Sequence, residues 1–109
     1  MGSMYLAECR CGYTHEIHVG KGAMADSPDL FPFFCDQDGL ILVNVEATRL
    51  RCPRSHCRTS RIRSYGRPPI SPMFGKREQH GDRALTLSDN LCPACQQMNL
   101  NFSLIGNFD

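Results

Sequence analysis

The sequence predicts a small β-rich domain held closed by bound metal. Three observations carry this. Its cysteines come in short-spaced groups near residues 9, 35, 52 and 92. Its apolar residues fall into short alternating or β-branched runs rather than helical periods. And a chain of 109 residues hides a smaller fraction of its surface than a large one does, so metal or a cross-link is expected to assist the core.

The groups are Cys9-Arg10-Cys11, Cys35 with Asp38, Cys52-Pro53-Arg54-Ser55-His56-Cys57, and Cys92-Pro93-Ala94-Cys95. A closed structural zinc site takes four ligands from Cys, His or, less often, a carboxylate. Each group is therefore half a site, and four halves make two Zn2+ ions per chain. Seven cysteines is an odd number, and Met1 to Glu8 has neither the basic start nor the apolar core of a signal peptide. Both points favour a reducing cytoplasm with thiolates on zinc over a disulfide framework. Whether Met1-Gly2-Ser3 precede a native start at Met4 stays open. No apolar run approaches the roughly 18 residues that span a bilayer, so a soluble chain without a membrane partner is expected.

The net charge of +1 conceals an asymmetry. Ten of the twelve Lys and Arg residues lie between Arg49 and Arg83, against only Glu78 and Asp82. The first 48 residues carry two basic and seven acidic residues, and residues 84–109 carry no Lys or Arg. Such a basic block is either a solvated face or a contact for an anion.

Taken in order, Met4 to Glu8 leads into the Cys9–Cys11 turn, and residues 13–19 leave it with Tyr13, His15, Ile17 and Val19 on one strand face. This reads as a hairpin whose turn holds metal, with Gly12 free to adopt the positive φ such a turn needs. Gly20 to Leu30 reads as a loop, without the spacing or helix of a phosphate-binding turn. Phe31-Pro32-Phe33-Phe34 reads as an aromatic core beside a metal site rather than a base-stacking platform. Leu40 to Glu46 is the strongest strand signal, and the thirteen residues between Asp38 and Cys52 suffice for a strand out and a strand back. Residues 58–65 suit another strand, with Arg61 and Arg63 opposite Ile62. From Gly66 to about Arg83 the chain is basic and proline-interrupted, which predicts a long exposed loop. Ala84 to Leu91 offers at most a helical turn, and residues 99–108 close the chain as a strand with Leu100, Phe102 and Leu104 alternating.

The Cys11-Gly12-Tyr13 turn, the Cys35-x-x-Asp38-Gly39 turn, Cys52-Pro53 ending in Cys57, and Cys92-Pro93-Ala94-Cys95 together resemble zinc-ribbon proteins, in which paired knuckles clamp a metal at the tips of β-hairpins. The resemblance covers most of the chain except the basic loop and implies a structural class with varied functions. Two departures stand out: Asp38 occupies a position where a knuckle normally has Cys, and four residues separate Cys52 from Cys57.

A nested double ribbon is expected within one compact unit, 1–109. Cys9, Cys11, Cys92 and Cys95 would close a terminal ribbon of residues 4–19 plus 84–109, and Cys35, Cys52 and Cys57 a middle ribbon of residues 31–65, leaving 66–83 as the basic loop. The short gap before Cys52 suits a local ribbon, and the last strand must pair with an earlier one such as 4–8 or 13–19. The sequential pairing, 9/11 with 35/38 and 52/57 with 92/95, remains open on spacing. Asp38 and His56 compete for the fourth middle position. Asp38 has the knuckle register, while His56 is the softer ligand but adjoins Cys57.

Catalysis is not expected. Cys92-Pro93-Ala94-Cys95 sits too near the last residue for a thioredoxin-like fold, and His15-Glu16-Ile17-His18 lacks the H-E-x-x-H spacing of a metalloprotease. His56 and Cys57 are neighbours whose side chains would diverge. Metal transfer through Cys9-Arg10-Cys11 would need an exchangeable site rather than a closed one. No small-molecule substrate is indicated. The leading expectation is a zinc module that binds nucleic acid through Arg49, Arg51, Arg54, Arg58, Arg61, Arg63 and Arg67, since guanidinium suits phosphate forks and base stacking. The alternative is a protein-protein adaptor whose zinc is purely structural, docking by a ribbon edge or the proline-rich loop.

Overall fold

The computed structural model describes residues 2–22 and 27–108, and shows eight β-strands and no helix among them. They are β1 (Gly2–Glu8), β2 (Thr14–Lys21), β3 (Asp29–Cys35), β4 (Gly39–Asn44), β5 (Ile62–Ser64), β6 (Arg77–His80), β7 (Arg83–Thr86) and β8 (Asn101–Phe108). All pairings are antiparallel, and the main sheet runs β4-β3-β2-β1-β8 with β5 also on β3.

That sheet forks at Pro32. β4 covers one whole edge of β3, from Leu30 opposite Asn44 to Cys35 opposite Gly39. The other edge is shared: β2 pairs only with Asp29 and Leu30, and β5 only with Phe33 to Cys35. The Pro32 carbonyl accepts from the Tyr65 amide at 3.2 Å. The amide and carbonyl positions of one strand residue face the same side, so the donor that proline lacks falls in the gap between two partners, where no ladder bond is required. The fork leaves two three-stranded halves, β2-β1-β8 and β4-β3-β5. Tyr5, Ile17, Val19, Phe31, Phe33, Tyr65, Leu100 and Phe102 fill the core.

Strand direction brings the metal-ligand groups to one end. The β1–β2 turn faces the start of β8, because Glu8 lies opposite both Thr14 and Asn101. The β3–β4 turn points the same way, since β2 and β3 are antiparallel and meet only at the far end of β2.

Several expectations are corrected. Residues 20–30 are not all loop, because β2 continues to Lys21 and β3 starts at Asp29; the part of that loop at 23–26 lies outside the described residues. No strand returns between β4 and Cys52, as Val45 to Arg49 has no alternating apolar pattern; β5 instead returns after Cys57 and pairs with β3. Only Ile62 to Ser64 of the 58–65 run is strand. In place of a helical turn, Arg83 to Thr86 forms β7.

The largest correction concerns residues 66–83. Ile70 and Ser71 are buried, and β6 and β7 form a hairpin closed by Gly81-Asp82. The reason is a buried polar hub. Asn90 donates through Nδ2 to the Thr86 carbonyl at 2.8 Å and accepts from Ser71 Oγ, which itself accepts from the Gly66 amide. Tyr65 adds a 2.7 Å bond to the Leu91 carbonyl, and the Leu91 amide donates to Ile70. Prolines end regular structure here without freeing the chain, because side chains supply the hydrogen bonds that a sheet would have made.

In β8 the alternation also breaks. A register shift opposite Met4 and Tyr5 of β1 leaves Ile105 as the extra residue of β8, and Leu104, although opposite buried Tyr5, is exposed as Ile105 is.

Candidate metal centres

Cys9, Cys11, Cys92 and Cys95 converge into one cluster and Cys35, Asp38, Cys52 and Cys57 into another, with the ligand atoms of each within 4.8 Å of one another. In the first, Cys9 Sγ lies 3.6 Å from Cys95 Sγ and Cys11 Sγ 3.7 Å from Cys92 Sγ. Four sulfurs arranged tetrahedrally about 2.3 Å from one ion stand about 3.8 Å apart. Disulfide sulfurs would be about 2.05 Å apart, so these are free thiols gathered at the spacing of a metal tetrahedron. In the second, Cys35 Sγ is 3.7 Å from Cys57 Sγ, and Asp38 Oδ2 lies 3.2 Å from Cys52 Sγ and 3.9 Å from Cys35 Sγ.

The competition between Asp38 and His56 has a geometric answer. Asp38 turns Oδ2 into the cluster, and its Oδ1 meets His56 Nε2 at 2.8 Å. The His56 side chain is 66% exposed, against 12% for Asp38. His56 thus stands behind the carboxylate and fixes its orientation, as outer partners of metal ligands commonly do.

All four groups share one backbone geometry despite their unequal spacings. The residue after the second ligand is left-handed each time: Gly12 (φ 100), Gly39 (φ 76), Arg58 (φ 50) and Gln96 (φ 62). Around three of them the first cysteine's amide donates to the carbonyl two residues past the second: Cys9 to Tyr13, Cys52 to Thr59 and Cys92 to Gln97, at 2.9–3.0 Å. The long Cys52–Cys57 interval is absorbed by a turn in which both Cys57 and Arg58 donate to the Arg54 carbonyl. Glycine was readable at two of these positions, whereas Arg58 and Gln96 give no sequence signal for positive φ.

The same turns aim backbone amides at sulfur. Cys9 receives the N–H of Cys11, Cys35 those of Asp38 and Gln37, Cys52 that of Arg54, Cys57 that of Thr59, Cys92 those of Cys95 and Ala94, and Cys95 that of Gln97. The Cys11 amide draws the Cys9 thiol down to about 7. Burial pushes Cys52 and Cys92 up to about 12. The hydrogen bond from Cys52, then that from His56, lowers the Asp38 carboxyl. A donor set of amide-cradled thiols, some too buried to ionise alone, fits a divalent cation whose arrival displaces their protons.

The two clusters adjoin. Gly39, directly after Asp38 of one, packs on Pro93, between Cys92 and Cys95 of the other, and Tyr13, Asp38, Pro93 and Ala94 line a hollow between them.

The seven arginines singled out in the sequence are all exposed. Arg51, Arg54 and Arg58 sit on the Cys52–Cys57 knuckle, Arg61 borders a recess with Cys35 and Gln37, and Arg63 is in β5. Arg49 lies on the connection from β4, and Arg67 lies apart, beside the β6–β7 hairpin. Among the described residues the ion pairs are Lys21–Glu46 and His56–Asp38, so none of the seven has a carboxylate partner. His15 and His18 are exposed on β2 and belong to neither ligand set, although His15 borders a recess with Pro53 and Arg54.

Compared with known protein families, curated proteins and solved structures, the chain matches none. What it is rests on its geometry: a small all-β chain with two cysteine-rich clusters able to hold metal.

Proposed function

We propose that this chain is a double zinc-ribbon module, nested in its pairing, whose arginine-rich knuckle binds nucleic acid. Zinc is favoured because sulfur-dominated, four-ligand tetrahedra suit it. Four protein ligands per cluster leave no open position for substrate, which supports a structural and non-enzymatic role. Seven uncrosslinked cysteines suit a reducing compartment such as the cytoplasm.

The observation that carries the binding proposal is the set of unpaired arginines on and beside the Cys52–Cys57 knuckle. Three thiolates and one carboxylate on a divalent ion leave two negative charges there. Arg51, Arg54, Arg58, Arg61 and Arg63 more than neutralise these. The excess is exposed and presented as guanidinium, which forks onto phosphate.

Binding of zinc-loaded protein to single- and double-stranded DNA and RNA across a salt series tests this, beside R58E/R61E/R63E. Affinity should fall steeply with salt and vanish in the folded variant. Salt-independent binding, or none at low salt, would reject the reading. One observation favours a protein adaptor as second reading: β8 is an edge strand whose Leu104 and Ile105 are exposed, a surface suited to strand addition.

A further inference from the structure

Away from both metal clusters, the turn after β5 and the β6–β7 hairpin enclose an open groove of about 410 Å³, within the range of small-ligand clefts. Arg67, Arg77 and Arg83 line it, with Asp82 as its acidic member. Arg67, Asp82 and Arg83 also border a neighbouring recess of about 370 Å³, whose lining adds Asp29, Glu46 and His80, so the guanidinium excess belongs to the first groove. Three guanidinium groups around one hollow repel each other, and among the described residues none has an ion-pair partner. Such a hollow draws in an anion.

Beside the groove stands an aromatic tip. Phe74 is 85% exposed and Met73 67%, the most exposed large apolar residues among those described. The tip is braced: Arg77 Nη2 donates to the carbonyls of Met73 at 2.7 Å and Pro72 at 3.4 Å, and Gly75 turns the chain at φ 136. Met73 and Arg77 line the groove, so the tip that carries Phe74 forms its rim. An exposed ring held beside cationic walls is the arrangement by which unpaired bases are taken, ring on ring with the phosphate on arginine.

We propose that this groove is a subsite for an unpaired nucleotide, its base stacked on Phe74 and its flanking phosphates on Arg67 and Arg83. The proposal rests on the nucleic-acid reading above and makes it specific, favouring single strands over duplex. An anionic lipid surface is the competing occupant of a basic site with an exposed ring, and the vesicle arm below separates it from a strand.

The chain has no tryptophan, so F74W places a single reporter at the site without disturbing the core. Titrating zinc-loaded F74W with an oligothymidylate, an abasic oligomer of equal charge and phosphatidylserine vesicles should quench emission with the first alone. F74A should weaken oligothymidylate binding roughly tenfold with an unchanged salt slope, and R67E should reduce the slope. Quenching by the abasic strand, a blue shift with vesicles alone, or F74A binding like wild type would overturn the subsite. If F74A binds like wild type while R58E/R61E/R63E does not bind, or wild type binds duplex but no single strand, the subsite fails and the wider reading stands; if wild type binds no DNA or RNA at low salt, both fail.

Discussion

A β-carbon added to Gly39 would stand 3.0 Å from the Pro93 Cβ, so the tip of one metal knuckle rests against the tip of the other. Gly39 also has φ 76, a conformation that side chains other than glycine resist. Gly12 holds the matching place in its own knuckle, at φ 100, but faces open space. Gly39→Ala should therefore destabilise the zinc-loaded protein more than Gly12→Ala does, with both within about 1–3 kcal/mol. Thermal melts of the two variants check the order.

The Asp38–His56 pair makes the middle cluster adjustable. Removing the imidazole frees the carboxylate to turn, and loss of such an outer partner costs about 10–100-fold in metal affinity. His56→Ala should weaken zinc at the middle cluster by that factor and leave the terminal cluster unchanged. Asp38→Cys should retain two metals. Competition with a chromophoric chelator, resolving two release steps, gives the result.

Asn90 holds three segments together, and its loss would take the side-chain donor from the Thr86 carbonyl and the acceptor from the Ser71 hydroxyl in the interior, while the Leu100 carbonyl keeps the backbone amide of residue 90. Each buried group left unpaired costs about 1–3 kcal/mol. Asn90→Ala should lower stability by about 2–3 kcal/mol and increase amide exchange across residues 66–72. Denaturant titration and hydrogen exchange report the two effects.

Acid should loosen the β6–β7 hairpin through His80. Its Nε2 meets the Tyr5 hydroxyl at 2.9 Å, and burial lowers the His80 pKa, opposed by Glu78 and Asp29. Burial, then the nearby Glu78, also pushes the Tyr5 phenol up to about 12, so a neutral phenol faces a neutral His80. With its folded pKa below the ordinary value of about 6.5, His80 contributes stability that is complete above that pH and lost as pH falls through the folded value. The stability gap between wild type and His80→Asn, measured in excess zinc, should narrow from pH 7.5 to 5.5. Ligand protonation is common to both proteins and cancels.

Much of this was legible. The hairpin around Cys9–Cys11 and the strand read over Leu40 to Glu46 follow from alternation and β-branched content, the latter ending at Asn44, and of the two partners left open for the final strand it takes β1. The four cysteine groups announced themselves by spacing. Residues 66–91 were opaque because their order comes from Asn90, Ser71 and Tyr65 bonding across the chain, and such long-range bonds leave no local period. The role of His56 was hidden for a similar reason, since a residue beside a ligand is told from the ligand itself only by where Asp38 turns. The fork at Pro32 needed knowledge of which strands share the edge of β3.

The central claim is that two metals, one per cluster, hold this sheet together, with apparent binding energies on the order of 10 kcal/mol each entering as folding energy. Native mass spectrometry of the intact chain, before and after a strong chelator, tests it most directly. Two zinc ions per folded chain, and unfolding with seven alkylatable thiols once they are removed, is the predicted result. A chain that stays folded with one metal or none, its charge-state distribution and melting curve unchanged by chelator, would contradict it.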